Sequence, residues 1–576
     1  MMKTKLLAVL LFFPLWMYSQ SLQLTAGEVE AVADTAAQTF YLTVSDRSAQ
    51  TVTVTYTPSA TQNPDRVSIL WNGKSISSGV PFSVKPDFSK PQTLTVTERT
   101  GNVSHTQRVK VEFTLLPIVS IDILPGEVVG KVETARATFT LTDAQKRTEG
   151  RPVLKSAATV HYRGNTSLKF DKKSYAVKLT TDDYTTDAEH DVMGIRLSEN
   201  WILDAMVVDA ARMRNRLCFD VWNEWCGRRD DDMVRPGTKG YFVEVMLNGK
   251  YHGLYCLSDK VNRKQQGIKK IQQAADGSAA YRGLLYKCQR ADDPSHFLVL
   301  PDNYDSGLQG ISWFSWDLKY PDSYPSERAW KPLIDFMAYT GTAPEKPEEG
   351  FSNLEKHFYI QNAIDFPLFA MTFMLLDNAM HNTYLSFKNI ENDRRAWITP
   401  WDMDGSFGCD GLGQHLQWVA IPIVTVQDTQ PFRTWMDDHS SPYFALMCKR
   451  WAELSTGLLR PDEINRRIDV YADLLSGSGA WRRERSRWTG ILPDLSETVD
   501  TETDYMKTWY ANNYAHLCSY FVPVTQNIDP ITVGDGMDAD ATVYDLGGRH
   551  CGKFKDWKKN PQKGVYIIGN RKVFIK

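Results

Sequence analysis

Three carboxylates and an amide stand at the ends of apolar segments in the run FPLFAMTFMLLDNAMHNTYLSFKNIENDRRAWITPWDMDGSFG, residues 366–408. The apolar stretch 366–376 stops at Asp377, and Asn382 follows five positions later. A short apolar hairpin, 384–387 and 396–398, then delivers Asp402 and Asp404 on a turn closed by Gly405 and Gly408. Asp and Asn are costly to bury without partners, so their recurrence at the ends of apolar runs calls for a ligand or for local capping. Hard divalent cations take oxygen ligands of this kind, and Mg²⁺ is commonly held by one or two carboxylates together with phosphate oxygens. Capping of a helix and a hairpin explains the same residues about as well when they are taken alone. The elements around them must decide.

The spacing resembles that of protein kinases. There a catalytic-loop Asp accepts the substrate hydroxyl proton, an Asn five positions on holds one Mg²⁺, and an Asp beyond a short hairpin holds the other. Asp377 and Asn382 reproduce the first spacing, and WDMDGSFG supplies an acid for the second. Upstream, TVHYRGNTS (159–167) and KFDKKSYAVKL (169–179) read as strand, polar turn and strand. Arg163, Gly164 and Asn165 form the tip, where backbone N–H groups and one guanidinium can cover phosphates. Lys178, in AVKL, matches a phosphate-contacting strand Lys, with Lys172 and Lys173 as competitors. The segment lacks a G-x-G-x-x-G loop.

The positioning elements follow in order. Residues 201–225 carry apolar residues at helical intervals and are expected to form one long amphipathic helix. YFVEVML and YHGLYCL, within 241–264, are two strands joined by Asn248-Gly249, a strong hairpin signal. The polar, turn-rich text of 265–350 reads as an insertion or connector with one helix near Trp330. Residues 441–459, 461–478, 481–487 and 500–521 read as helices.

The first residues have a basic start (Lys3, Lys5), an apolar run over 6–17 and small polar residues at 19–21, the pattern of a secretory leader over 1–20. No later window is apolar for long enough to span a bilayer. The expected location is therefore outside the cytoplasm: periplasmic, cell-surface or secreted. A net charge of −3 with mixed signs lacks the basic footprint of a nucleic-acid binder. The eight Cys are irregularly spaced without a C-x-x-C pair, which argues against zinc and for mostly free, buried thiols with one or two bridges. Alternating β-branched text over 22–117 predicts an antiparallel, immunoglobulin-like β-sandwich of six or seven strands. It is expected to act as a spacer or docking module with its own core, separable from the rest. Short strands with Gly turns over 527–576 predict a β tail that serves as a sorting or anchoring module or as a plain hairpin.

RGNTS with KKSYAVKL, the Arg-rich segment with RNRL, VMLNGKYHGLYCLSDK, DNAMHNTYL and PWDMDGSFG occur in one order that closely resembles the spore-coat-protein-H (CotH) kinase family of exported atypical protein kinases. The resemblance implies an α+β chain with a bilobal kinase-like domain over 118–525, its N-lobe about 118–262 and its C-lobe about 263–525. It implies transfer of the ATP γ-phosphoryl group to Ser or Thr of exported proteins, the chain itself included, with Mg²⁺ or Mn²⁺. On this resemblance Asp377 is the catalytic acid, Asn382, Asp402 and Asp404 are metal-side residues, and Arg163, Asn165 and Lys178 contact the nucleotide. Two other readings stay open: an inactive kinase-like surface binding protein, and a metal-dependent glycan hydrolase using the paired acids.

Overall fold

The computed structural model describes residues 22–575 apart from 59–63, 228–235, 274–277, 379–380, 417–430, 491–492, 523–537, 546–549, 561–563 and 569–570. The leader expected over 1–20 lies outside the described residues. Strands dominate residues 22–259 and helices most of 327–520, so the class is α+β. Residues 22–114 form a four-stranded and a six-stranded sheet around one core that includes Leu24, Leu42, Val54, Leu94, Val111 and Phe113. The alternation expected there is present. The larger sheet nevertheless contains a parallel pair, Val103–Thr114 beside Thr39–Thr43, where an antiparallel sandwich was expected.

Seven strands then close into a barrel: β1 (Ile118–Ile123), β2 (Ala135–Thr142), β3 (Val153–Arg163), β4 (Ser174–Thr180), β5 (Asn200–Asp204), β6 (Gly240–Leu247) and β7 (Lys250–Asp259). The order is β1-β2-β3-β4-β5-β7-β6, and β6 returns to pair parallel with β1. Period-2 alternation sends Ile121, Phe139, Val177, Leu179 and Leu203 inward, where they fill the barrel. The β6–β7 turn is made by Asn248 and Gly249 at φ 49° and 67°, the left-handed pair that a two-residue hairpin of matching twist requires.

The helix expected over 201–225 occupies only the second half of that segment. Residues 200–204 are β5, and helix α1 runs Arg214–Gly227. Adjacent residues there serve two cores: Trp201, Leu203 and Val207 face the barrel, whereas Ile202, Met206 and Met213 face the helical half. A segment buried on all sides mimics helical periodicity. Left-handed backbone at Met206 (φ 50°) and Arg212 (φ 55°) breaks any helix there.

The remainder is organised on a five-stranded sheet. Its strands lie in the order Ser312–Trp313, β9 (Trp316–Tyr320), β8 (Leu284–Cys288), β10 (Thr383–Phe387) and β11 (Trp397–Pro400). Three strands of this sheet thus come from the segment expected to be an insertion. Helices α2 (Glu327–Thr342), α3 (Ile360–Phe373), α4 (Pro442–Ser455), α5 (Pro461–Gly477), α6 (Ala480–Arg487) and α7 (Asp500–Tyr520) surround it. Trp222 and Trp225 of α1 meet Phe369 of α3 edge-on, with centroids 5.0 and 5.5 Å apart, so α1 belongs to this core. Six of the eight cysteines are buried, and among the described residues no disulfide forms where one or two were expected. Residues 542–575 build a small four-stranded sheet over Val543, Phe554, Tyr566 and Ile568.

The first two sheets do not sit apart as a detachable spacer. Arg483 of α6 holds Glu244 of β6 through two bonds of 2.7 and 2.8 Å, and its Nη1 donates to Glu112 and to the Phe113 carbonyl. All three charged side chains are buried. Tyr41 stacks on Tyr251 at 4.8 Å, and Asp34 accepts from the Tyr251 amide. A chain lacking residues 22–116 would expose this face and leave Arg483 half-paired, which is costly for a buried ion. Such a deletion is expected to aggregate or to lose its cooperative melt. A monodisperse product with a sharp calorimetric transition would contradict the coupling described here.

Candidate functional site

The acidic loop begins where β11 ends at Pro400 and is built of left-handed backbone: Asp402 at φ 59°, Phe407 at φ 51° and Gly408 at φ 79°. Gly408 has a second reason to be glycine, since a Cβ would meet Trp509 of α7 at 2.3 Å. Met403 and Phe407 are buried as anchors. The loop is tied down from three sides. Asn215 of α1 accepts from the Met403 amide (3.2 Å), the Phe373 carbonyl at the end of α3 accepts from the Phe407 amide (3.0 Å), and Asn378 donates to the Trp401 carbonyl. Asp402 is thereby left on the surface of the loop while its neighbours are buried.

Asp377 lies in a single 3-10 turn, Leu376–Asn378, just after α3; its side chain lies outside the described residues. Asn382 is buried with φ 55°, and its amide donates to the Cys288 carbonyl of β8. Thr383 pairs with Pro400, so Asn382 and Trp401 are the residues that leave the two strands at the same end. Asn378, which the sequence reading passed over, staples the two segments: its Nδ2 reaches the carbonyls of Asn382 and Trp401. The D-x-x-x-x-N and WDMD segments are therefore joined by β pairing and one amide.

Across the cleft stands Arg163, at the end of β3, with its guanidinium 5.4 Å from the Trp401 ring centre. Arg163, Asp204, Asn215, Phe219, Cys256 and Asp402 share one small cavity of about 20 Å³. Asp204 is held by Asn215 Nδ2 (3.1 Å) and the Met206 amide (3.1 Å). Loss of water on burial pushes the Asp404 carboxyl well above the usual carboxylate range, and the negative charges of Asp402, Asp204 and Asp209 add to this. Negative charge thus gathers around Asp404 from the loop, from the end of β5 and from the turn before α1. Lys287 of β8, on the same sheet as the loop, lies 5.7 Å from the Trp401 ring, and burial lowers its pKa to about 8 against the pull of Asp402. Lys287 falls within the segment expected to be an insertion, which hid it; the alternating LLYKC around it was the available signal.

The other expected nucleotide contacts lie elsewhere. Asn165 is exposed at the tip after β3 and is not among the cavity-lining residues. Lys178 points outward from β4 because Val177 and Leu179 point in, and it pairs with Asp187 at 2.6 Å. Its two competitors have structural partners: Lys172 is fully buried on Glu484, and Lys173 donates to the Leu168 and Phe170 carbonyls. Among the described residues no group of three or more Asp, Glu, His or Cys is assembled as a metal site.

The turn before α1 sets the position of Asn215. Asp209 accepts from the amides of Ala211, Met213 and Arg214, and the buried Arg214 guanidinium bridges Asp209 (2.6 Å) and Glu502 (3.1 Å) of α7. Arg214→Leu strands two acids and is expected to cost about 3–5 kcal/mol of stability. Urea unfolding should show this as a lowered midpoint with an unchanged slope, whereas a parent-like midpoint would remove Arg214 from the framework of the site.

No curated protein matches this chain. The family model described as CotH kinase protein matches residues 160–517, more than half of the chain, from the end of β3 through most of α7. With the barrel end, the acidic loop and its three anchors all inside that match, the chain belongs to the CotH kinase family.

Proposed function

We propose that the chain is an exported atypical protein kinase that transfers the ATP γ-phosphoryl group to a Ser or Thr hydroxyl of exported proteins. Family membership makes a kinase-type transferase the starting point. In this reading the barrel and the helical half act as the two lobes, and the N-terminal sheets as an immunoglobulin-like sandwich. One observation carries it: Asp402 of the WDMD loop and Arg163 line one cavity, and Lys287 lies close enough to both to feel their charges. Acids that hold a cation, facing cations that hold phosphate, are the charge layout phosphoryl transfer needs.

The donor types suit a hard cation: Asp402 and Asp404 supply carboxylate oxygens close enough to interact, and Asn382 supplies an amide oxygen. These residues would hold Mg²⁺ or Mn²⁺, which when bound neutralises phosphate charge. Arg163 and Lys287 take the phosphate-orienting role first assigned to Lys178. Asp377 accepts the proton of the substrate hydroxyl as that oxygen bonds to the γ-phosphorus and the bridging P–O bond breaks, releasing ADP. A cavity of about 20 Å³ is far smaller than the several hundred Å³ of ordinary ligand sites, so the lobes must separate to admit the nucleotide. The same closed cleft favours the second reading, a kinase-like binding protein without activity. Among the described residues no helix is long and apolar enough to cross a membrane.

Calorimetry with ATP and Mg²⁺, beside a transfer assay, separates the roles. Asp402→Asn should abolish Mg²⁺-dependent nucleotide binding, since a neutral amide balances a cation poorly. Asp377→Asn should keep binding while transfer falls by about 10²-fold or more. Lys287→Met should weaken binding with or without metal. Parent-like binding and transfer in all three would remove these residues from the chemistry, whereas a parent without measurable transfer would leave the binding-protein reading.

A further inference from the structure

A second, larger cavity of about 610 Å³ lies where the N-terminal sheets, the β6–β7 turn and α6 meet. Segments distant in sequence supply its cations: Lys110 from the sheets, Lys250 from the hairpin, and Arg482, Arg483 and Arg487 from α6. Part of this charge is already matched. Arg483 is taken up by Glu244 and Glu112, and Arg482 also pairs with Glu112. The remaining acid, Asp34, accepts from the amides of Ala37 and Tyr251. Lys110, Lys250 and Arg487 are exposed and make no ion pair among the described residues. Arg487 is also pre-set: its Nε donates to the Tyr251 carbonyl at 3.0 Å, and its guanidinium lies 4.2 Å from the Trp488 ring centre. The planar fork is thus held in place at the wall of the cleft.

We propose that this cleft docks an extended acidic segment of a partner polypeptide. An open, wet cleft holds a single small anion weakly, because water screens each pair. Several carboxylates on one chain add their attractions. Lys110, Lys250 and Arg487 line the cleft from three separate segments. Alternate residues of an extended chain are separated by about 6.6 Å, so successive acids of such a chain can meet more than one of these cations. The guanidinium fork of Arg487 matches a carboxylate bidentately, and the two lysines accept looser partners. The cleft is distinct from the acidic-loop site, so this docking does not depend on the catalytic reading.

The test is fluorescence anisotropy of a labelled Ser-Glu repeat peptide on the full chain at low and moderate salt, with a Ser-Gln repeat as control. The acidic peptide alone should bind, and more weakly as salt rises. Reversing Lys110, Lys250 and Arg487 together to Glu should weaken binding at least about tenfold with an unshifted melting temperature, whereas Lys331→Glu on α2 should not. Should the triple variant fail to fold, Lys110→Glu and Lys250→Glu singly carry the test, each expected to weaken binding measurably. Absence of binding by the parent, equal loss in Lys331→Glu, or tighter binding of a sulfated oligosaccharide of matched charge would overturn the proposal.

Discussion

Two consecutive residues of α6, Arg483 and Glu484, hold the three parts of the molecule in one frame. Arg483 reaches back to Glu112 in the N-terminal sheets and to Glu244 in the barrel. Glu484 turns the other way, accepting from Lys172 (2.5 Å), Arg212 (3.0 Å) and the Leu254 amide (2.8 Å). Every one of these charges is buried. Removing such ions from water is expensive, and pairing returns the cost only when the geometry is good and the remaining donors are satisfied. Here they are: Lys172 also donates to the Ala205 and Leu254 carbonyls, and Arg212 Nη1 to those of Met206, Val207 and Asp209. The pairs fix one arrangement of the parts more than they add net stability.

From Glu484 a continuous set of contacts leads to the cleft. Arg212 organises the turn whose Asp209 caps the start of α1, and Arg214 locks that turn onto α7. Asn215, the next residue, holds both Asp204 and the Met403 amide of the acidic loop. A shift of α6 against the barrel would therefore be felt at Asp402. The same helix lines the basic cleft at the junction, which places docking and the acidic loop at two ends of one framework.

Much of this was legible in the sequence where local chemistry dominates. Asn248-Gly249 had to make a left-handed two-residue turn, and it does. The helices expected over 441–459, 461–478, 481–487 and 500–521 form, with Ser441 capping the Phe444 amide and Pro442 in the first turn of α4. The pairing of Thr383 with Pro400, which brings the two segments together, also follows from the hairpin read between them. What failed depended on packing. Residues 201–213 are buried between two cores, so their apolar pattern carries no single period. β8 and β9 sit in turn-rich text and become strands only by pairing with each other and with β10. Lys178 was chosen from a local match, but strand alternation and Asp187 turn it away, while Lys287 reaches the site from another sheet. The tie between the N-terminal sheets and α6 joins residues about 370 apart, beyond the reach of any local pattern.

The central claim is that the cleft between the barrel and the acidic loop receives a metal-bound nucleotide. A crystal structure of the full chain grown with Mg²⁺ and a non-hydrolysable ATP analogue tests it most directly. The cation is expected on Asp402, the phosphates between it and the side chains of Arg163 and Lys287, and the cleft wider than in the closed form. A saturated crystal with the cleft empty, or with the nucleotide bound away from Asp402, would contradict it.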